Sequence, residues 1–335
     1  MVSGVRHDEK RWISIRTSRL LMNSTSDPVV LDSAGRISLE LRQLEYFLAC
    51  CDQGTFTAAA RSLHVVQSAV STGVAKLERE LGVRLFDRTR TVLVLTDAGR
   101  AAILPAREAL RARDEVRDAI AGLRGEVRGD VVLGALVNVA TIDLAGAFEV
   151  IHQRHPGISI AMRQSPQGSA GNVRLLRNGS LDLTLLGGDV EDQSGITAYP
   201  LAAEPLVLVT HPDHPLARAG RFVADDLEHE RVIDYPPGWG TRTIIDRQIP
   251  RRDSVIEVAD QVFGIQLARS GFGVTAVPAS VAAVQTDAGV ASCADRDLTW
   301  VIYVAHSDSR SLTTAASAVL DIVREVCGPP SDVTA

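Results

Sequence analysis

Between Gln67 and Leu81, the residues Val70, Val74, Leu77 and Leu81 recur at i, i+4, i+7 and i+11, the spacing that lines one face of an α-helix with apolar side chains. Burying that stripe decides what the opposite face carries. Gln67, Ser68, Ser71, Thr72 and Ala75 occupy it, all small or hydrogen-bonding and suited to close approach to a flat polar surface. Two shorter amphipathic segments come first. Leu41, Leu44, Phe47 and Leu48 share a face in one, which Asp52-Gln53-Gly54 ends; Phe56, Ala59, Ala60 and Leu63 share a face in the next, with Thr55 as its N-cap. After Gly82, Leu85-Phe86-Asp87-Arg88-Thr89-Arg90 leads into Val92, Val94 and Thr96 alternating with Leu93 and Leu95. That pattern predicts a two-stranded wing with basic residues at its tip.

Three short helices followed by a basic-tipped wing suit docking on DNA, because a helix in the major groove needs an outer face that meets base edges with hydrogen bonds. A plain helical bundle gives the same periodicity and stays open at this point. Charge does not separate the two. Residues 39 to 92 hold seven Lys/Arg against six Asp/Glu, and the whole chain has a formal net charge of −6, so any DNA contact is local rather than a bulk positive coat.

Asp97 onward predicts a helix to about Leu123, along which Ala102, Ala106, Ala109, Arg113, Val116, Ile120 and Leu123 alternate steps of four and three. This heptad-like seam wants a partner helix, although its alanines and Arg113 make it a weak coiled coil. From Gly129 short apolar strands alternate with helical segments: Val131 to Val137, Ile158 to Met162, Leu181 to Leu186, Leu206 to Thr210, Val255 to Val258, Val274 to Val277 and Trp300 to Ala305. Such alternation predicts an α/β sheet domain. Residues 1 to 38 show no sustained periodicity and are expected to be a disordered extension, or the product of an upstream start site.

A chain of 335 residues holds more than one domain at the usual ~100–200 residues each. Cys50, Cys51, Cys293 and Cys327 form no C-x-x-C or metal-ligand spacing, which predicts inert thiols in a reducing compartment. No apolar run approaches a membrane span or a signal peptide, so a cytoplasmic location is expected. Signals for catalysis are weak. Gly271-x-Gly273 lacks the third glycine of a dinucleotide loop, His211-Pro212-x-His214-Pro215 lacks a completing carboxylate or cysteine, and neither a G-x-S-x-G elbow nor a P-loop occurs. The expectation is a protein that is not an enzyme, with no cofactor, metal or catalytic residue.

Resemblance adds more. Leu41-Arg42-Gln43-Leu44-Glu45-Tyr46-Phe47, Gly54-Thr55-Phe56-Thr57-x-Ala59-Ala60 and Leu63-His64-Val65-x-Gln67-x-Ala69-Val70-Ser71 resemble, in order, the N-terminal signature of LysR-type regulators. So do Leu77-Glu78-x-x-Leu81-Gly82-Val83-x-Leu85-Phe86-x-Arg88 and Leu95-Thr96-x-Ala98-Gly99. Thr72 departs from the arginine common in the family, and Val66 with Ser68 from its usual Ser-Gln-Pro, which removes a Ser cap worth of order 1 kcal/mol. More loosely, Leu176-Arg177-Asn178-Gly179-x-Leu181-Asp182-Leu183, His214-Pro215-Leu216-Ala217 and Gly271-Phe272-Gly273-Val274-x-x-Val277-Pro278 resemble landmarks of the family's effector domain.

The resemblance implies an α/β chain overall: a mostly α winged helix-turn-helix at 39–96, a linker and dimerisation helix at 97–125, and a two-lobed effector domain like periplasmic solute-binding proteins at 128–328. Lobe I is expected at about 128–203 and 299–328, and lobe II at about 204–298, with crossing strands near Glu204 to Thr210 and Trp300 to His306. It implies a homodimer, assembled further as a dimer of dimers, on pseudo-palindromic double-stranded DNA. Gln67, Ser68, Ser71 and Thr72 face the major groove with Lys76 on the same helix, while Arg88 and Arg90 meet phosphate or minor groove.

Ligands of such folds bind between lobes near strand ends and helix N-termini, where the dipole favours an anion. That nominates Val137, Asn138, Val139, Ser169, Thr241 and Arg242, and a small carboxylate or similar anion as effector. The bland reading is that Ser169 and Thr241 are helix caps and Arg242 simply exposed. The alternative from another class is a solute-sensing module whose helix-turn-helix makes protein contacts.

Overall fold

The computed structural model describes residues 39–87, 92–122, 126–137, 140–188, 194–285 and 287–329. The expectations for residues 1–38, for Arg88 and Arg90, and for Asn138 and Val139 therefore lie outside the described residues. Two compact units are present, one up to Arg100 and one from Ala101 onward.

The first unit holds α1 (Leu41–Gln53), α2 (Phe56–Ser62), α3 (Gln67–Leu81), and a pair of short antiparallel strands, β1 (Phe86–Asp87) and β2 (Val94–Leu95). Gly54 and Gly82, both with positive φ, end α1 and α3 and turn their N–H groups back onto the last turn. Thr55 caps α2 as expected, its hydroxyl accepting the Ala58 N–H at 3.1 Å. On α3, Val70, Val74 and Leu77 are fully buried and Leu81 half-buried, so the apolar stripe faces inward. Phe47, Phe56 and Phe86 cluster around it, with ring centroids 5.6 Å and 6.3 Å from Phe86. Glu78 fastens the wing to α3: its carboxylate accepts the N–H groups of Leu85 at 2.9 Å and Phe86 at 3.2 Å.

The helix α4 (Asp97–Gly122) runs from the first unit into the second. Val116 and Ile120 on it are 62% and 57% exposed, the unpartnered apolar positions that the heptad-like seam leads one to expect. Beyond it come β3 (Arg128–Ala135), α5 (Leu144–Arg154), β4 (Gly157–Gln164), α6 (Gly168–Arg177) and β5 (Leu183–Gly187). The long strand β6 (Ile196–Thr210) then leads to α7 (Pro215–Ala219), β7 (Arg221–Phe222), a 3₁₀ turn (Ala224–His229), β8 (Arg231–Asp234), α8 (Gly240–Gln248) and β9 (Asp253–Glu257). The chain continues through α9 (Gln261–Arg269), β10 (Thr275–Pro278), α10 (Ala279–Ala283), β11 (Gly289–Cys293), β12 (Thr299–Ser307) and α11 (Thr314–Cys327).

In this unit the strands run in the order β4-β3-β5-β12-β6-β11-β7, with β10 also on β6. The strand β6 joins two lobes because its partners change along its length. Residues 196–205 pair with β12, whereas 206–210 pair with β10 and β11. One core takes Val131, Leu133, Leu183, Leu185, Val304 and Val319 from lobe I and runs on through Leu208, Val232 and Ile245 of lobe II; a second, within lobe II, holds Val207, Val209, Ile233, Tyr235, Ile265 and Val277. At the crossing, Glu204 accepts a hydrogen bond from Thr141 Oγ1 of lobe I, and from the N–H and hydroxyl of Ser280 in lobe II at 2.6 and 2.8 Å.

Candidate functional site

Two surfaces carry chemistry, one in each unit. On α3, Gln67, Ser68 and Thr72 are exposed and Ser71 half-buried, opposite the buried Val70, Val74 and Leu77. The Ser71 hydroxyl donates to the Ser68 carbonyl at 3.2 Å, which leaves its oxygen free to accept. Lys76 is engaged elsewhere: its ammonium bonds the Glu40 carboxylate and lies 3.9 Å from Glu80. Arg79, exposed, continues the row of Ser68 and Thr72 at helical spacing. Reasoning from the sequence missed it; the signal was a lone cation eleven residues after Ser68 on the polar face. At the start of α3, Val66 is extended (φ −75°, ψ 145°) and offers no side-chain cap.

The second surface is a cleft between the lobes that opens to solvent, the kind of place where small-molecule sites form. From lobe I it takes the end of β3 (Ala135, Leu136, Val137), Ser165, Gly168, Ser169, Gly187 and Trp300; from lobe II it takes Trp239, Gly240, Thr241 and Gln261. Val137, Ser169 and Thr241 thus meet in one place. The Ser169 hydroxyl is already used, however. It donates to the Gly187 carbonyl and accepts the Gly187 N–H, each at 3.0 Å, so it bolts α6 to β5 and caps no helix.

Arg242 does not join the cleft lining. Its Nε bonds both Asp246 oxygens at 2.8 and 2.9 Å, and its Nη1 donates to the Tyr235 carbonyl at 2.9 Å and lies 3.5 Å from Asp234. Those acceptors belong to lobe II itself, and charge-assisted bonds to fixed carboxylates outcompete an open cleft. The cleft residues that sequence reasoning passed over are Trp239, Trp300, Gly240 and Gln261. Trp239 stacks on Tyr235 with centroids 5.8 Å apart, which fixes its ring in the wall. Among the described residues, no three His, Cys, Asp or Glu gather as a metal site, and no helix is long and apolar enough to cross a membrane.

A helix-turn-helix with a wing, a long helix with exposed apolar positions, and a two-lobed domain with a cleft define a DNA-binding regulator that responds to a small molecule. Residues 41–100 match the family described as bacterial regulatory helix-turn-helix protein, lysR family, and residues 124–328 match the LysR substrate binding domain. Relatives include the HTH-type transcriptional regulator CfxR of Cupriavidus necator, 29% identical over 84% of this chain and 90% of that protein. The RuBisCO operon transcriptional regulator of Allochromatium vinosum is 33% identical over 71% of this chain and 79% of that protein. Among solved structures, full-length CbnR complexed with its target DNA has a TM-score of 0.58 at 24% identity, covering 86% of this chain and all of CbnR. The chain belongs to the LysR family of transcriptional regulators, with a DNA-binding helix-turn-helix domain and an effector-binding domain. This favours the DNA-reading alternative over a module that only contacts protein.

Proposed function

We propose that α3 enters the major groove and reads bases through Gln67, Ser68, Ser71 and Thr72, while Arg88, Arg90 and Arg79 meet phosphate and the Thr72 position selects by hydrogen bonding where the family commonly uses arginine. The observation that carries this is the exposed row of small polar side chains on α3, directly opposite the buried Val70, Val74 and Leu77. Lys76 joins the contact set as a phosphate partner, since its exposed ion pair with Glu40 is weak enough to exchange for DNA.

The protein works in the cytoplasm as a homodimer through α4, further paired as a dimer of dimers, on two half-sites about one helical turn apart. A neighbour in fold, CbnR, was solved on its target DNA, which supports this mode. A small molecule in the inter-lobe cleft biases the placement of the subunits and so the geometry of the bound DNA. The protein catalyses nothing; the cleft's polar groups hold a ligand rather than activate one.

Fluorescence anisotropy on the DNA upstream of its own gene, beside a scrambled duplex and across a salt series, tests the reading. Gln67→Ala and Thr72→Ala are expected to cut the preference for the specific duplex by about tenfold. Arg88→Ala is expected to weaken both duplexes alike and lower the salt slope by about one. Equal affinity of the wild type for both duplexes, with and without ligand in the cleft, overturns the assignment of α3.

A further inference from the structure

We infer that the effector is a small uncharged molecule with an apolar body lying against Trp239 and Trp300 and a hydrogen-bond donor directed at Gln261 Oε1; this rests on the reading of the inter-lobe cleft as the effector site. Gln261 opens α9, lines the cleft and is 5% exposed, yet its Oε1 has no hydrogen-bond partner among the described residues. A buried amide oxygen left unpaired is costly. A ligand hydroxyl or amide N–H relieves that cost, and Thr241 supplies a second polar anchor at the start of α8.

The same wall argues against an anion. No described residue lining the cleft is charged, and Arg242, next in sequence to Thr241, is held by Asp246, Asp234 and the Tyr235 carbonyl. The helix start at α9 already carries a negative group: the Asp260 carboxylate accepts the N–H of Val262 at 2.8 Å and of Phe263 at 3.2 Å. That carboxylate offsets the helix dipole beside Gln261 and repels a second negative charge. At α6 the Gly168 N–H bonds Ser165 O and the Ala170 N–H bonds Gly238 O, both at 3.1 Å, and the Ser169 hydroxyl is spent on Gly187. The start of α8 has no side-chain cap, but the partial charge of one helix dipole does not replace a cation, so a carboxylate here loses more in water than it gains, whereas Leu136, Val137 and the two tryptophans suit an apolar skeleton.

Two of the chain's three tryptophans line the cleft, so in full-length protein carrying Trp12→Phe the remaining emission reports on it directly. Three probes share a ring and differ in one group: benzamide (neutral, with a donor), methyl benzoate (neutral, without one) and benzoate (anionic). Benzamide is expected to change the emission saturably and to bind about tenfold better than either of the others. Gln261→Met removes that preference, and Gln261→Glu, which keeps acceptor oxygens, retains benzamide while excluding benzoate. If benzoate binds as well as benzamide and Gln261→Met changes nothing, the ligand class is overturned while the cleft stands. Emission unmoved by all three probes overturns the cleft as the effector site, and this inference with it.

Discussion

Gly240, the first residue of α8 in lobe II, packs backbone to backbone against Gly187, the last residue of β5 in lobe I: a methyl group on Gly240 falls 1.6 Å from the Gly187 carbonyl oxygen and 2.4 Å from its carbon. Both glycines line the cleft, and their contact limits how closely the lobes approach. Gly188, with φ +76°, meets the Gly240 backbone in the same way at 2.6 Å. Only residues without a Cβ fit here, and since both partners are backbone, neither moves without moving its lobe.

Gly240→Ala is therefore expected to wedge the lobes apart. The cost is about 1–3 kcal/mol, as for other overpacked contacts, against the slight gain alanine brings to an ordinary helix position. Trp239 adjoins Gly240, and the Trp300 ring lies 2.3 Å from where a Gly187 Cβ would sit, so opening should shift tryptophan emission to the red. An unchanged spectrum with raised stability would mean that the contact yields locally and does not set lobe closure.

The bare N-terminus of α3 leads to a prediction of opposite sign. Val66 has the extended backbone of an N-cap, is 68% exposed and offers no acceptor. Val66→Ser introduces one without disturbing packing and is expected to stabilise the first unit by about 1 kcal/mol. Urea unfolding followed by far-ultraviolet circular dichroism measures it; no gain would show that the first N–H groups of α3 already have partners.

These two positions show what sequence reasoning reaches and what it does not. The inward face of α3 was legible because one helix with one buried face writes its period directly into Val70, Val74 and Leu77. The missing cap at Val66 was legible for the same reason: it is local. The first half of β6 was not. Pro200, Ala202, Ala203, Glu204 and Pro205 are poor strand formers, and they are held extended by β12, a hundred residues away in sequence, with a register shift between Ile302 and Tyr303 opposite Pro200. In the cleft, Val137, Ser169 and Thr241 were legible as strand end and helix starts. Arg242 could not be placed from sequence because Asp246 and Asp234 engage it only once lobe II has folded, and Gln261 and Trp300 reach the cleft lining from segments whose convergence no local pattern records.

The thiols should differ in reactivity by burial. Desolvation pushes Cys50 up to about 12 and Cys327 up to about 11, so at pH 8 only about one Cys50 in ten thousand is thiolate. Raising the pH toward these values increases the thiolate fraction tenfold per unit. Cys51 and Cys293 are only half-buried. Iodoacetamide labelling of native protein at pH 8, read by peptide mass mapping, is expected to mark Cys51 first, to mark Cys293 more slowly because burial pushes its thiol up as well, and to spare Cys50 and Cys327 until urea is added. Prompt labelling of Cys50 in native protein would mean that α1 opens readily.

Arg111 on α4 reaches the effector domain, where its Nη2 lies 3.3 Å from Asp182 Oδ1, while the other Asp182 oxygen accepts the Val132 N–H at 2.9 Å. Beside it, Arg310 donates to the carbonyls of Leu176 and Leu181, and burial, with the repulsion of Arg111, pulls its guanidinium below the ordinary arginine value. Asp182 thus faces a crowd of cations, with Glu115 3.6 Å from Arg111 Nε and Glu108 and Arg107 also acting on Arg310. Asp182→Asn keeps the shape and the bond to Val132 but removes the charge, leaving Arg111, whose side chain is 13% exposed, without its main partner. The expected loss is about 1–3 kcal/mol, less than for a fully buried pair because Asp182 keeps some contact with water. Urea unfolding of the second unit, read through Trp239 and Trp300, measures it. The decisive control is Arg111→Met in the same background: if the charge pair is the cause, the double variant recovers most of the loss, and equal instability of the single and double variants would place the effect in the Asp182 turn instead.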